Sequence, residues 1–174
     1  MDEIKIVKRG KYYLTPFLEE HIDELCDSLS SESRFELRCL GYEGVREALN
    51  EIIHESESYV AKTKNGPIIC ISGLIFDKSS DCPQMFAMFT KDVKKSFHTM
   101  ARGSTMLINF FDQTYPMLNM SILDKFSFML DWASWLGFEP VSHIEYQGNG
   151  YVEFVRCNPM KKNVSNKSSR PVMH

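Results

Sequence analysis

Apolar positions recur along the chain with two periods and divide it into helical and extended stretches. Leu18, Ile22, Leu25, Cys26 and Leu29 fall at helical spacing. Thr15 before Pro16 supplies an N-cap with proline at the first helical position, where its missing N–H costs nothing. The spacing therefore predicts an amphipathic helix that ends near Ser30. Ser33 and Glu36 stand at capping-box separation and open a second short helix carrying Phe35, Leu37 and Leu40, stopped by Gly41. Val45, Ala48, Leu49, Ile52 and Ile53 form a third helical stripe. Ahead of all three, residues 4–7 are β-branched and basic and read as an edge strand.

The extended signal is clearest in SYVAKTKNGPIICISGLIF, where two strand-like runs flank Asn65-Gly66, the dipeptide that best accepts the positive φ angles of a tight hairpin. A further strand is predicted over residues 84–89. A helix over residues 92–111 follows, with Val93, Phe97, Met100, Ser104, Leu107, Ile108 and Phe111 on one face. At 1.5 Å per residue it spans roughly 30 Å, enough to cross a small sheet. Then come a strand over 118–123, a helix over 126–136 closed by Gly137, and a hairpin in which Gly148-Asn149-Gly150 joins strands 141–146 and 151–156. Strands and helices in this order match neither a Rossmann alternation nor a repeat array. The fold class expected is mixed α/β, a mixed sheet with helices on both faces.

A length of 174 residues favours a single domain, expected over residues 1–160 with a polar, basic and flexible tail over 161–174. Five widely spaced cysteines without a CxxC pair argue against a disulfide framework and a zinc site. The five histidines show no ligand spacing, so no metal is expected. The N-terminal residues lack the apolar core of a signal peptide, and no run of about 18 apolar residues occurs, so neither a leader nor a membrane span is expected. Net charge is −3, and because the last fourteen residues hold four cations and no acid, the body before them is near −7. An acidic body is a poor partner for nucleic acid, whose binding rests on cationic contacts to phosphate.

The stretches SRFELRCLGYEGVREAL, MFAMFT before the long helix, YPMLNMSIL and LDWASWLGFEP, taken in order, resemble the GNAT acyltransferase fold. More narrowly they resemble acetyltransferase-like proteins of tailed phages related to internal virion protein A of short-tailed phages. The resemblance implies a GNAT-like central sheet, the cytoplasm of an infected cell or the virion as location, and phage structural or core proteins as partners.

It also implies a coenzyme A pyrophosphate held by a glycine-rich turn at the start of the long helix, where backbone N–H groups and the helix end face the phosphates. Here that turn reads TKDVKKSFHTMARGST, with no glycine before Gly103. Thr90, Lys94 and Lys95, with Lys91 beside them, are the candidate cofactor contacts that remain. The family's helix asparagine and tyrosine acid are also missing, since Lys125, Phe126 and Ser127 fill one window and Trp132 and Ala133 the other. The strand over 84–89 offers no general base. Glu145 and Glu153 read as solvent-facing charge, Tyr146 and Tyr151 as packing residues, and His98 as a residue near the start of the long helix.

No GxSxG or P-loop motif occurs. Phe128, Trp132 and Trp135 crowd one helix and read as a partner surface, because Trp and Phe are enriched in interface cores. The leading expectation is thus a GNAT-fold phage protein with degenerate catalysis and no cofactor, acting through protein contacts in assembly or in the particle. The alternative is an acetyl-CoA-dependent N-acetyltransferase that uses lysines in place of glycine amides.

Overall fold

A computed structural model describes residues 7–9 and 12–159. The 161–174 tail and residues 4–6 of the expected first strand lie outside the described residues. Eight strands form one mixed sheet in the order β1-β2-β3-β4-β5-β6-β8-β7. They are β1 (Val7–Arg9), β2 (Tyr12–Pro16), β3 (Ser56–Thr63), β4 (Ile68–Ile75), β5 (Gln84–Phe89), β6 (Met117–Leu123), β7 (Glu139–Tyr146) and β8 (Asn149–Cys157). All neighbours are antiparallel except β5 and β6.

Helices cover both faces. On one side α1 (Ile22–Ser28), α2 (Ser31–Cys39) and α3 (Val45–Glu55) bury Leu25, Leu37, Leu49 and Ile52 against Val60, Ile68, Ile71 and Met88. On the other α4 (Phe97–Thr114) and α5 (Ser127–Trp135) bury Met100, Leu107, Phe111, Trp132 and Ala133 against Ile69, Leu74, Met85, Leu118 and Phe154. Strand alternation sorts the side chains. In β5, Met85, Ala87 and Phe89 go to the α4 side, while Phe86 and Met88 go to the α1–α3 side.

The central hairpin turns where the sequence places it, with Asn65 at φ 56°. Gly41 and Gly137, at φ 95° and 86°, stop α2 and α5 in the left-handed conformation that glycine adopts without strain.

Four local expectations are corrected. Thr15 and Pro16 do not cap a helix. They end β2, paired with Val60 and Tyr59 of β3, because Tyr12-Tyr13-Leu14-Thr15 is a strong strand former and proline is tolerated at a strand end. The helical chain instead begins at Glu19–His21, where the buried His21 ring accepts the Leu18 amide hydrogen at 3.0 Å through Nδ1.

The α2 cap is Ser30, whose side chain accepts the Ser33 N–H at 3.1 Å, so Ser33 and Glu36 are not a capping box. The long helix opens with a 3-10 turn, Val93–Ser96, and Phe97 lies outside its buried face. The last hairpin turns at Gln147-Gly148, both at positive φ, with Asn149 already paired to Tyr146.

Candidate functional site

β5 and β6 run parallel but share one register pair, Gln84 with Asn119, at their N-terminal ends. Beyond it they diverge, because the segment from Ser28 to Ser33 closes on the C-terminal end of β5. The Ser30 N–H donates to Phe89 O at 2.9 Å, the Lys91 N–H to Ser28 O at 2.8 Å, and the Phe89 N–H to Ser33 Oγ at 2.9 Å. Arg34 reinforces the segment by donating to the carbonyls of Leu29, at 3.1 Å, and Cys26. The α1–α2 connection thus pairs with β5 where β6 would otherwise continue.

Two cavities open from this divergence. The first, of 430 Å³, lies between the first turn of α2, the end of β5 and the first turn of α5, and is lined by Ser30 to Ser33, Phe89 to Lys91, Lys94 and Lys125 to Met129. The second, of 310 Å³, lies on the α2–α3 side over β5, β6 and β8. Glu36 and Met129 line both.

Glu36 is the feature the sequence reading missed, having taken it for a capping partner. Helical geometry places it one turn beyond Ser33, on the side of α2 that faces the sheet. Among the described residues no hydrogen bond or ion pair engages its carboxylate, and burial alone pushes its pKa up to about 7. A carboxylate poised there can take a proton at neutral pH.

Tyr151, which reads in the sequence as a packing residue, borders the second cavity together with Glu36. It is 5 % exposed, and its buried hydroxyl has no hydrogen-bond partner among the described residues. Burial, with the nearby Cys39 and Glu36, holds its pKa above the ordinary value. Glu36 lies in one of the stretches that carry the resemblance, but nothing in it marks a base, and Tyr151 lies in none of them. Each acquires its setting from the packing of α2 over β8.

The predicted contacts separate. Lys91, Lys94 and Lys95 are exposed and in no ion pair among the described residues, and Lys91 and Lys94 line the first cavity. Thr90 is fully buried, and its hydroxyl donates to the carbonyls of Ile68 and Ile69 at 2.9 and 3.2 Å, so its side chain is not a free ligand contact. Lys125 sits over the Phe35 ring at 3.6 Å. Gly103 lies inside α4 facing β3, where an added Cβ would meet Ala61 Cβ at 3.4 Å, and not at the helix start.

Trp132 is corrected as a partner-surface residue. It is 5 % exposed and donates its Nε1–H to Ser104 Oγ at 3.1 Å. Phe128 and Trp135, 44 % and 61 % exposed, do reach the surface. His98 is exposed, and no cluster of three or more potential metal ligands occurs among the described residues.

The amides of Phe89, Lys91, Val93 and Lys95 already donate within the chain. The exposed Lys91 and Lys94 give the lining of the first cavity positive charge.

Comparison with known proteins agrees on the fold. No protein-family model matches the chain, and no curated protein matches it in sequence. Among solved structures, a protein provisionally assigned as an acetyltransferase superposes with TM-score 0.74 at 11 % identity, covering 93 % of this chain and 94 % of the other. RimL, a ribosomal L7/L12 α-N-protein acetyltransferase solved in complex with coenzyme A, gives 0.68 at 9 % identity, covering 88 % and 98 %. The microcin C7 self-immunity acetyltransferase MccE, solved with acetyl-CoA and AMP, gives 0.67 at 9 %, covering 86 % and 93 %. The chain therefore has the GNAT acetyltransferase fold. The narrower relationship to phage proteins rests on the sequence stretches alone.

Proposed function

We propose that this chain is an acyltransferase, moving an acyl group from a thioester donor of the acyl-CoA class to an amine, with Glu36 as general base. The observation that carries the reading is the place of Glu36, shared by two cavities that meet where β5 and β6 part. Lys91 and Lys94 hold the donor's phosphates, and the donor supplies an activated acyl carbonyl. Glu36 accepts the proton that the ammonium must lose to become a nucleophile and later releases it to solvent; the amine nitrogen bonds to the acyl carbon, the C–S bond breaks, and the thiolate leaves with the second proton the amine gives up. Such proton transfer contributes about 10²- to 10⁴-fold to rate. The test is thiol release from acetyl-CoA in the presence of amines, by the intact protein and by Glu36→Gln. Amine-dependent release that falls at least about a hundredfold in the variant supports the reading.

The exposure of Phe128 and Trp135 favours a second reading, a tailed-phage particle protein that acts through protein contacts in assembly. In a phage that needs this protein, Trp135→Ala and Phe128→Ala would then lower particle yield without unfolding the domain. Glu36→Gln, Lys91→Glu and Lys94→Glu would leave the yield intact.

A further inference from the structure

Independently of the acyl-transfer reading, we infer that the free edge of β7 pairs with the same edge of a second copy of this chain. The two strands run antiparallel about a two-fold axis at Ile144, and the two sheets join into one.

β7 ends the sheet, and every one of its residues is exposed. Such an edge presents main-chain groups that no neighbouring strand bonds. The register with β8 tells which they are. Gln147-Gly148 is a two-residue turn, which makes Tyr146 and Asn149 a hydrogen-bonded pair and the next pair, Glu145 with Gly150, a non-hydrogen-bonded one. Gly150 agrees, because its carbonyl accepts the Asp124 amide hydrogen at 3.0 Å on the other side of β8. Alternation then turns the N–H and C=O of His143 and Glu145 outward. Pro140 and the register shift at Val141 interrupt the edge before Ser142, so the stretch open to pairing is 142–146.

Charge complementarity makes a second copy the occupant and fixes its register. Side chains keep to their own faces of the joined sheet only when the axis passes through a residue. An axis at Ser142 sets Glu145 opposite the second copy's Glu139, one at His143 sets imidazole against imidazole, one at Glu145 sets carboxylate against carboxylate, and one at Tyr146 runs the strand into its turn. An axis at Ile144 sets Glu145 opposite the second copy's His143, and His143 opposite the second copy's Glu145. Unlike charges directly across a strand pair stabilise it and like charges oppose it. The same register matches the outward N–H and C=O of His143 to those of Glu145. His143 is already steadied by Asp124, its Nε2 lying 2.9 Å from Asp124 Oδ2. On the opposite face Ile144, 40 % exposed, meets the second copy's Ile144. Tyr146, 48 % exposed and edge-on to Tyr151, covers the second copy's Ser142. Pairing thus takes out of water apolar side chains that β7 alone leaves in it.

The experiment is analytical ultracentrifugation of the full chain over a roughly thirtyfold range of concentration, where a monomer–dimer equilibrium is expected by mass action. Glu145→Pro deletes an outward N–H that β8 does not use, so it should leave the hairpin folded by circular dichroism and weaken the dimer about tenfold or more. Glu145→Lys, which sets a cation opposite His143, should weaken it severalfold. Cross-linking reads the register directly and needs no destabilising change. In a Cys157→Ser background, Ile144→Cys should form an intermolecular disulfide under mild oxidation, because a non-hydrogen-bonded pair brings Cα atoms to about 4.5 Å, within disulfide reach. Ser142→Cys, whose counterpart is the second copy's Tyr146, should not. A chain that stays monomeric over the whole range would overturn the inference. So would a dimer indifferent to Glu145→Pro, or cross-linking at Ser142→Cys equal to that at Ile144→Cys.

Discussion

Ser33 Oγ accepts the amide hydrogen of Phe89 at 2.9 Å, and this one bond ties the first turn of α2 to the diverging end of β5. Both groups are buried, so the bond is protected from water. Glu36 stands one turn further along the same helix, and its position follows from that anchor. Ser33→Ala would leave the Phe89 N–H unsatisfied, at a cost of roughly 1–3 kcal/mol. For a chain of this size that lowers the melting temperature by about 2–10 °C, which differential scanning calorimetry would read.

The raised pKa of Glu36 makes stability depend on pH in a stated direction. The folded chain keeps the Glu36 proton to about pH 7, while the unfolded chain releases it near its ordinary value of 4.5. The folded state therefore binds more protons across that window, and the contribution of this group to stability is full below about pH 4.5 and is lost as pH rises towards 7. Tyr151 near Glu36 stays neutral throughout this range, its pKa held up by burial. Glu36→Gln removes the dependence. The variant is expected to melt above the wild type at pH 8, by a difference equivalent to roughly 1–3 kcal/mol, and to converge with it near pH 4.5.

Donor binding should show its reliance on side chains rather than amides. Acetyl-CoA is expected to bind with a Kd of about 100 μM, or roughly 5.5 kcal/mol. The affinity should fall severalfold between low and high salt, because exposed ammonium contacts are screened. The double variant Lys91→Glu, Lys94→Glu should abolish measurable binding in calorimetry. Salt-independent binding that survives the double variant would show that the backbone holds the donor after all.

Trp132 joins α5 to α4 through Ser104, whose hydroxyl also donates to Met100 O at 2.8 Å. Ser104→Ala would leave the buried indole N–H without an acceptor and cost about 1–3 kcal/mol. Trp135→Ala, on the exposed side of the same helix, should stay within about 0.5 kcal/mol. Urea unfolding of the two variants checks the contrast.

How far the sequence foretold all this depends on the range of the interactions involved. Asn65-Gly66, Gly41 and Gly137 act within a few residues, and the elements they delimit are where the pattern placed them. Thr15-Pro16 carries an equally local helix signal, and it was overridden by pairing with Val60 and Tyr59, more than forty residues away.

The site was less legible than the fold for the same reason. The cofactor turn was sought where glycines belong, and Lys91 and Lys94 do border the first cavity, but Thr90 turned inward. Glu36 had the spacing of a cap, and Tyr151 the alternation of an ordinary strand. Only the packing of α2 across β8 leaves the Glu36 carboxylate at a cavity and seals the Tyr151 hydroxyl beneath it without a partner among the described residues. Of the three aromatics read as a surface, the inward face of α5 claimed Trp132.

The most direct test of the account is the rate of thiol release from acetyl-CoA with a panel of primary amines as acceptors, followed from pH 5 to pH 9 for the wild type and Glu36→Gln. The wild-type rate should rise with pH and flatten above about 7, as Glu36 becomes ionised. The variant should be at least about a hundredfold slower and lack that inflection. Equal rates for the two proteins, or no amine-dependent release by the wild type at any pH, would contradict it.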